Sequence, residues 1–581
     1  MPKLSNFMAV MPQLQINQGP QDALLYDNSR SYFTNVGYLR TSNFQVEYRD
    51  LDAQNNATLG STVQFIVPKA ADLLGPVDLM VNFKVPTSVS LGTTSWVETV
   101  GFAMIEKIMF SVGSHDVETI TGDQLNIMNE LMKSQTQRLD DSIGKFGYPA
   151  HVTNTAKNEV GGEVVGVTMS HNVFNSPKLI AQKYYLNDAG HNVDVAEANE
   201  NGINATETKY PGLKLIIPLG LFFTKHPSQY FPLAAIAGCN EVRISVKFRS
   251  LAEIVMLRPV PKFIMGSPNP DPQIAADLPD ERMELPVYLN NDPIEKARLR
   301  CHYVHVTGPE ATTLMNKEHV RLLKLFQTNT VTKTFTHTRD GARGTFDIDL
   351  SFLHPVSELI ITIRKTEEIG STVENKLDHT TPGMGAVTKN RFAYQGGDKD
   401  PNIESVLNSY QTYHRMSVQE AWLKVNNFKL TLNGQERHPS LASTGIDRDY
   451  MMARLIPSLH SNCTDSFTGL QTPGYQRNGR RTNDVDNWLA GLEANRLREL
   501  LDRKEIYVYP FSLNPEGGNP SGAVNFSKVS HAKLSIDLEA FRTWGGTEAN
   551  QDQMIEYQVD VYGVNYNWLQ IKDGRALTSF A

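Results

Sequence analysis

Tyr509–Ser527 reads YPFSLNPEGGNPSGAVNFS, and its reading decides the fold class. The run Ile506–Leu513 is β-branched and aromatic, as a strand requires. Asn514–Gly522 follows with two prolines and three glycines, a composition that permits only a tight, irregular loop. A second strand starts after Asn525-Phe526-Ser527 and alternates through Leu534, Ile536 and Leu538. Nothing in the stretch is chemically reactive; it specifies shape.

The same grammar runs outward along the chain. Leu79, Val81, Phe83 and Val85 alternate with polar or exposed positions, as do Val242, Ile244, Val246 and Phe248, and later Tyr557, Val559 and Val561. Period two with one polar face marks half-buried antiparallel strands, and many short strands broken by Gly, Pro and Asn point to all-β sandwiches. Two helices are expected. Asp123–Leu139 carries Leu125, Met128, Leu131 and Met132, and Trp488–Leu501 carries a leucine stripe; each is read as covering the open end or edge of a sheet. Seven prolines between Arg258 and Pro286 would break ladders and stiffen a linker. The division expected is therefore an N-terminal arm 1–24, a β-domain 25–250, a linker 251–285 and a second β-domain 286–581 with an insertion at 458–503. In the arm, Leu4, Phe7, Met8 and Met11 follow a helical stripe, which suits a docking arm or a frayed terminus.

Bulk composition removes several function classes. At 581 residues and 64.9 kDa the chain exceeds one ordinary core. A net charge of −8 and a pI near 6.0 supply no field for a polyphosphate, so direct nucleic-acid binding is not expected. Cys239, Cys301 and Cys463 form no CxxC pair, which excludes a disulfide framework and suits a reducing compartment. The longest apolar run, Leu215–Phe223, is interrupted by Pro218 and Gly220 and cannot span a bilayer, and the N-terminus is read as no secretory signal. Cys301-His302-Tyr303-Val304-His305 offers metal-ligand types, but on a strand the two histidines point to opposite faces. His337-Thr338-Arg339 is not the HxH pair of a cupin, Asp347 and Asp349 read as a solvated strand face, and no GxSxG, P-loop or GxGxxG is present. No enzyme, metal or cofactor is expected. Sequons at Asn56, Asn204, Asn462 and Asn525 are of a kind that arises often by chance, and a cytosolic product would not meet the secretory glycosylation machinery; Asn525 reads as a turn residue.

Six segments in order resemble the major capsid proteins of nucleocytoplasmic large DNA viruses, the double jelly-roll family. They are Ser31–Phe44; Leu215–Phe223 with Pro232-Leu233 and Glu241–Arg249; Phe352–Ile360 with its His354-Pro355 turn; Leu432-Asn433-Gly434; the opening stretch; and Val561–Leu569. The most specific residues are Pro510, Phe511, Pro515, Pro520, Ser521, Gly522, Asn525 and Phe526. The loose first segment and the insertion 458–503 mark a divergent member. The resemblance implies two consecutive eight-stranded antiparallel jelly rolls with a few short helices in loops. It also implies homotrimeric pseudo-hexagonal capsomers tiling an icosahedral virion, assembled in the host cytoplasm or a viral factory. Implied partners are further copies of itself, minor capsid, cement and penton proteins, an inner viral membrane indirectly, and surface glycans. Outer-tower candidates are 145–204, 364–402 and 461–486. The competing readings are a transient double jelly-roll scaffold of virion assembly and a carbohydrate-binding β-sandwich.

Overall fold

The computed structural model describes residues 44–84, 93–132, 140–144, 214–258, 293–369, 391–396, 421–437, 446–460, 505–542 and 553–579, apart from positions 98, 237–239, 307, 339, 393 and 518, together with the backbone of strands between 151 and 193. The arm 1–24, the helix read at Trp488–Leu501, the tower candidate 461–486 and nearly all of the insertion lie outside the described residues.

Sixteen of the strands among the described residues form two sets of eight. The first set is β1 Phe44–Asp52, β2 Thr62–Val67, β3 Leu73–Phe83, β4 Ile105–Val112, β5 His115–Thr121, β6 Lys214–Pro218, β7 Val242–Phe248 and β8 Ile294–Val306. They form sheets of order β1-β8-β3-β6 and β2-β7-β4-β5. The second set is β9 His319–His337, β10 Ala342–Asp349, β11 Pro355–Lys365, β12 Ala421–Leu432, β13 Gln435–Glu436, β14 Ile506–Pro510, β15 Ala532–Arg542 and β16 Gln553–Lys572. Their sheets have the order β9-β16-β11-β14 and β10-β15-β12-β13. The second order is the first with eight added to every number. Each set is an antiparallel jelly roll, so the chain is a double jelly roll.

Alternation in the sequence becomes the inner faces of these sheets. In β7, Val242, Ile244, Val246 and Phe248 are fully buried, and Ile244 sits opposite Phe65 on one side and Phe110 on the other. The first core also gathers Phe110, Phe222, Phe223 and Phe231, whose rings meet at 5.1–6.5 Å in edge-on or tilted pairs. The second core holds Tyr557, Val559 and Val561 of β16 against Leu534, Ile536 and Leu538 of β15.

Two expectations change. Ile294–Val306 was expected in the second β-domain, but its residues pair with β1 (Leu299 opposite Leu51) and with β3 (Leu299 opposite Leu79), making it the last strand of the first roll. The proline-rich stretch therefore connects two strands of one roll. Its described beginning, Val255–Arg258, is itself a strand antiparallel to Thr93–Trp96, and its prolines lie outside the described residues. The chain passes from one roll to the next instead through helix α2, Gly308–Asn316, between β8 and β9. Second, the tower candidate 364–402 begins inside β11, where Arg364 is fully buried, and Phe392 and Gln395 are buried too. Candidate 145–204 contains the antiparallel pair His151–Val160 and Glu163–Asn172.

Strand alternation sets the ends of each roll. Connections β3–β4, β5–β6 and β7–β8 share one end of the first roll, as β11–β12 and β13–β14 do in the second. These are the long excursions, 84–104, 122–213, 249–293, 366–420 and 437–505. At the opposite end lie shorter turns, 68–72, 113–114, 350–354, 433–434 and 511–531 among them. The rolls point the same way. At the short-turn end, Ile236 bridges Gly574, Asn240 donates to the Gly574 carbonyl at 2.7 Å, and His115 meets Thr578 at 3.1 Å. At the long-excursion end, Asp123 just beyond β5 reaches Arg364 at the end of β11.

Candidate structural site: the short-turn end and the seam between the rolls

Three sequence motifs converge at the short-turn end of the second roll. His354-Pro355 turns from β10 into β11, Asn433-Gly434 turns from β12 into β13, and the opening stretch joins β14 to β15. Both residues of the Asn433-Gly434 turn have positive φ, 52° and 78°, the geometry that closes a two-residue hairpin. The Asn433 side chain accepts from the backbone of Ser530 at 2.8 Å, tying this turn to the start of β15.

The stretch itself is held residue by residue. Pro510 ends β14 opposite Glu358, and the Phe511 amide donates to the Ser357 carbonyl at 2.8 Å. Ser521 Oγ accepts from the Asn514 amide at 2.9 Å and donates to the Asn514 carbonyl at 3.0 Å, closing the loop on itself. Pro515 is buried, and Lys324 Nζ of β9 donates to its carbonyl at 2.8 Å and to that of Gly517 at 2.5 Å. Pro520 is exposed. Gly522 has φ 144°, and a Cβ there would stand 2.8 Å from the Phe511 carbonyl oxygen. Asn525 pairs with Pro355, and its side chain accepts from the Ser527 amide at 3.1 Å. Phe526 is buried, and its amide donates to the carbonyl of His354, which is itself left-handed at φ 67°. Phe352, Phe526, Phe511 and Tyr509 continue as a line of rings 5.3–5.8 Å apart. The structure thus brings all ten sequence-selected residues to one end of one roll.

Sequence reading missed the seam between the rolls. Helix α1, Gly122–Met132, was expected to cover a sheet end or edge, but it lies between the two cores. Leu125 and Met128 enter the first core, Ile127 and Leu131 the second. Gly122 is required where it starts, because a Cβ would stand 2.2 Å from the Phe102 carbonyl oxygen. At its first turn Asp123 accepts from Arg391 through two bonds, 2.8 and 2.9 Å, and from Arg364 at 3.3 Å, with Arg249 at 3.7 Å. Arg364 also donates to Asp560 of β16. Asp560 further accepts from Thr330 at 2.7 Å and Gln558 at 2.8 Å. Burial alone would push the Asp123 carboxyl up; the guanidiniums of Arg364, Arg391 and Arg249 outweigh it and hold the group well below the usual carboxylate range. The seam is therefore a buried helix of mixed polarity tied to the neighbouring roll by buried, charge-assisted bonds. A lone Asp and scattered Arg carry no spacing signal, which is why they were illegible.

The histidines near Cys301 part company. His302 stacks on Tyr48 at 4.9 Å, while His305 meets Glu47 at 2.9 Å. Cys301 is buried and its thiol is pushed up to about 12 by burial. No cluster of three metal-ligand side chains occurs among the described residues, and among them no helix is long and apolar enough to cross a membrane.

Two like-pointing jelly rolls joined by a buried seam define a structural subunit of the double jelly-roll class. Residues 31–283 match the family described as "Major capsid protein N-terminus", and residues 502–576 that described as "Large eukaryotic DNA virus major capsid protein". A major capsid protein of Phaeocystis pouchetii virus is 22% identical, with 96% of each chain covered. One of Paramecium bursaria Chlorella virus 1 is 32% identical over 87 residues, 13% of this chain and 20% of that one. Among solved structures, PBCV-1 VP54 superposes with TM-score 0.52 at 15% identity, covering 95% of this chain and 100% of that one. The Faustovirus major capsid protein gives 0.52 at 12% identity, with 94% and 93% covered. The chain belongs to the major capsid proteins of large eukaryotic DNA viruses, as a divergent member. It is a structural component of the virion and not an enzyme.

Proposed function

We propose that three copies close head to tail into a pseudo-hexagonal ring of six jelly rolls, and that these rings tile an icosahedral shell. One observation carries this reading: the junction already present within the chain. Edge strand β5 of the first roll packs against edge strand β9 and the C-terminal strand Arg575–Thr578 of the second. There Leu323, Leu569, Ile571 and Ala576 of the second roll enter the first roll's core. The equivalent edges at the two outer sides, β1 of the first roll and β13 of the second, face away from that junction. Strand β1 carries an outward row of Phe44, Val46 and Tyr48, with Phe44 60% and Tyr48 67% exposed. Repeating the internal junction between chains joins unlike edges, a heterologous contact, and such contacts generate rings when the rotation closes. An obligate interface of this kind buries on the order of 2,000 Å² or more.

Contacts between rings can each stay weak because a shell sums many of them. In this reading minor capsid, cement and penton proteins, with an inner membrane indirectly, are the partners of finished rings. The long-excursion end forms the outer tower, carries any glycans, and assembly takes place in the host cytoplasm or a viral factory. The first roll runs through β8, with α2 as the junction. Substituting Val46→Asp with Tyr48→Asp places charge in the β1 row without touching either core. Sedimentation is expected to show trimer for the wild type and folded monomer for this variant. An unchanged trimer would remove β1 from the ring contact, and a wild-type monomer would remove the ring.

A further inference from the structure

His460 closes the helical segment Arg448–Leu459 and is the last described residue before position 505. Its side chain is fully buried, and both ring nitrogens face carboxylates on other parts of the roll. Nε2 lies 2.9 Å from Glu358 Oε2 on β11, and Nδ1 lies 3.2 Å from Glu516 Oε1 in the Asn514–Gly522 loop. A neutral imidazole has one donor and one acceptor nitrogen, so against two carboxylates it would lose one bond and gain a lone-pair repulsion. Only the imidazolium donates to both.

Charge balance gives the same answer. The ring faces Glu358 and Glu516, and the charge of these two carboxylates is also felt by the Lys324 ammonium, which bonds the loop carbonyls and lies 5.9 Å from the Tyr566 ring. Lys225 of the first roll lies beyond Lys324 and has Glu118 as its own counter-charge. With His460 protonated the inner quartet of His460, Lys324, Glu358 and Glu516 is neutral. Without that proton it holds an uncompensated buried negative charge, which is costly. Glu358 is fully buried and its Oε1 has no hydrogen-bond partner among the described residues, so its bonding rests on the His460 contact at Oε2.

We propose that the His460 imidazolium is a proton-dependent clamp that locks the root of the 458–503 insertion to the Asn514–Gly522 loop, so that the two open together when the proton leaves. The device joins segments more than fifty positions apart in the chain, and it acts within one chain, whatever the state of assembly. Its direction follows from linkage. Burial disfavours the charged ring, but the bonds to Glu358 and Glu516 outweigh burial and raise His460 from 6.5 to about 9. A raised folded-state value means the clamp contributes fully below about pH 6.5 and is lost as pH rises through about 9.

Pulsed hydrogen exchange on the full-length protein, corrected for the intrinsic pH dependence of exchange, reads this directly. Between about pH 7 and about pH 10, opening of the backbone at 448–460 and at 511–527 is expected to rise together, on the order of fiftyfold. Protection in β15 should stay level. In His460→Gln both segments should be open already at neutral pH and show no further rise. Should that variant misfold, Glu516→Gln, which removes the half-exposed partner, is expected to reduce the rise. Wild-type protection that is flat over this range, a rise confined to one segment, or an equal rise in His460→Gln or Glu516→Gln overturns the proposal.

Discussion

At the scale of single residues, the decisive positions are those where backbone geometry or buried charge leaves no alternative. Gly522 combines φ 144° with a carbonyl oxygen in the place of a side chain, so Gly522→Val should cost at least about 1–3 kcal/mol in backbone strain. Pro520, two positions away, is exposed, and Pro520→Ala should cost less than about 1 kcal/mol, acting through the unfolded chain. Denaturant unfolding of the two variants checks this contrast, and equal losses would contradict it. Asp123 is the buried counterpart. Replacing it with Asn leaves Arg364, Arg391 and Arg249 facing a neutral group and should destabilise by about 3–5 kcal/mol. Its depressed folded-state value also fixes the sign with pH. Its contribution is present above the ordinary aspartate range and lost as pH falls below it, so wild type and Asp123→Asn should converge in stability on acidification. A stability gap that stays constant down to about pH 3 would show that the bonds of Asp123 do not depend on its charge. Gly522 was legible in the sequence because a Pro/Gly loop between two strands demands such a residue. Asp123 was not, because its partners come from positions 249, 364 and 391 and only folding assembles them.

At the scale of elements, strands were legible and their membership was not. The alternation in β3, β7 and β16 states which face is inward, since side chains alternate strictly across a pleated sheet. It does not state which sheet a strand joins. Ile294–Val306 shows the consequence, for its pattern is that of any half-buried strand and only pairing with β1 and β3 places it in the first roll. Helix α1 shows a related limit. Its apolar positions were read as one stripe, but Leu125 and Met128 serve one core while Ile127 and Leu131 serve the other. Residues 122–131 are buried throughout, polar Gln124, Asn126 and Asn129 included, and a stripe of apolar positions does not announce the burial of polar ones. Because α1 belongs to both cores, Ile127→Ala should cost about 2–5 kcal/mol and weaken the coupling between the rolls. Calorimetry is expected to resolve the wild type as one transition and Ile127→Ala with Leu131→Ala as two. A single transition in the double variant would mean that α1 is not the element joining the rolls.

At the scale of the whole molecule, two rolls of one topology point the same way, with long excursions at one end and short turns at the other. That polarity suits a shell subunit, which must present different faces outward and inward while its sides meet copies of itself. The most specific of the motifs that carried the family resemblance lie at the short-turn end of the second roll and in its strands, while Leu215–Phe223 and Glu241–Arg249 lie in the first roll, each where packing permits few residues. Of the outward row on β1 only Phe44 falls within a motif segment, and a surface proposed to meet another copy needs only complementary shape and apolarity. The central claim is that the side edges close a ring of three chains. Native mass spectrometry of the purified protein at micromolar concentration tests it most directly. Three 64.9 kDa chains predict a single species of about 195 kDa; a stable 64.9 kDa monomer, or a dimer, would contradict the account.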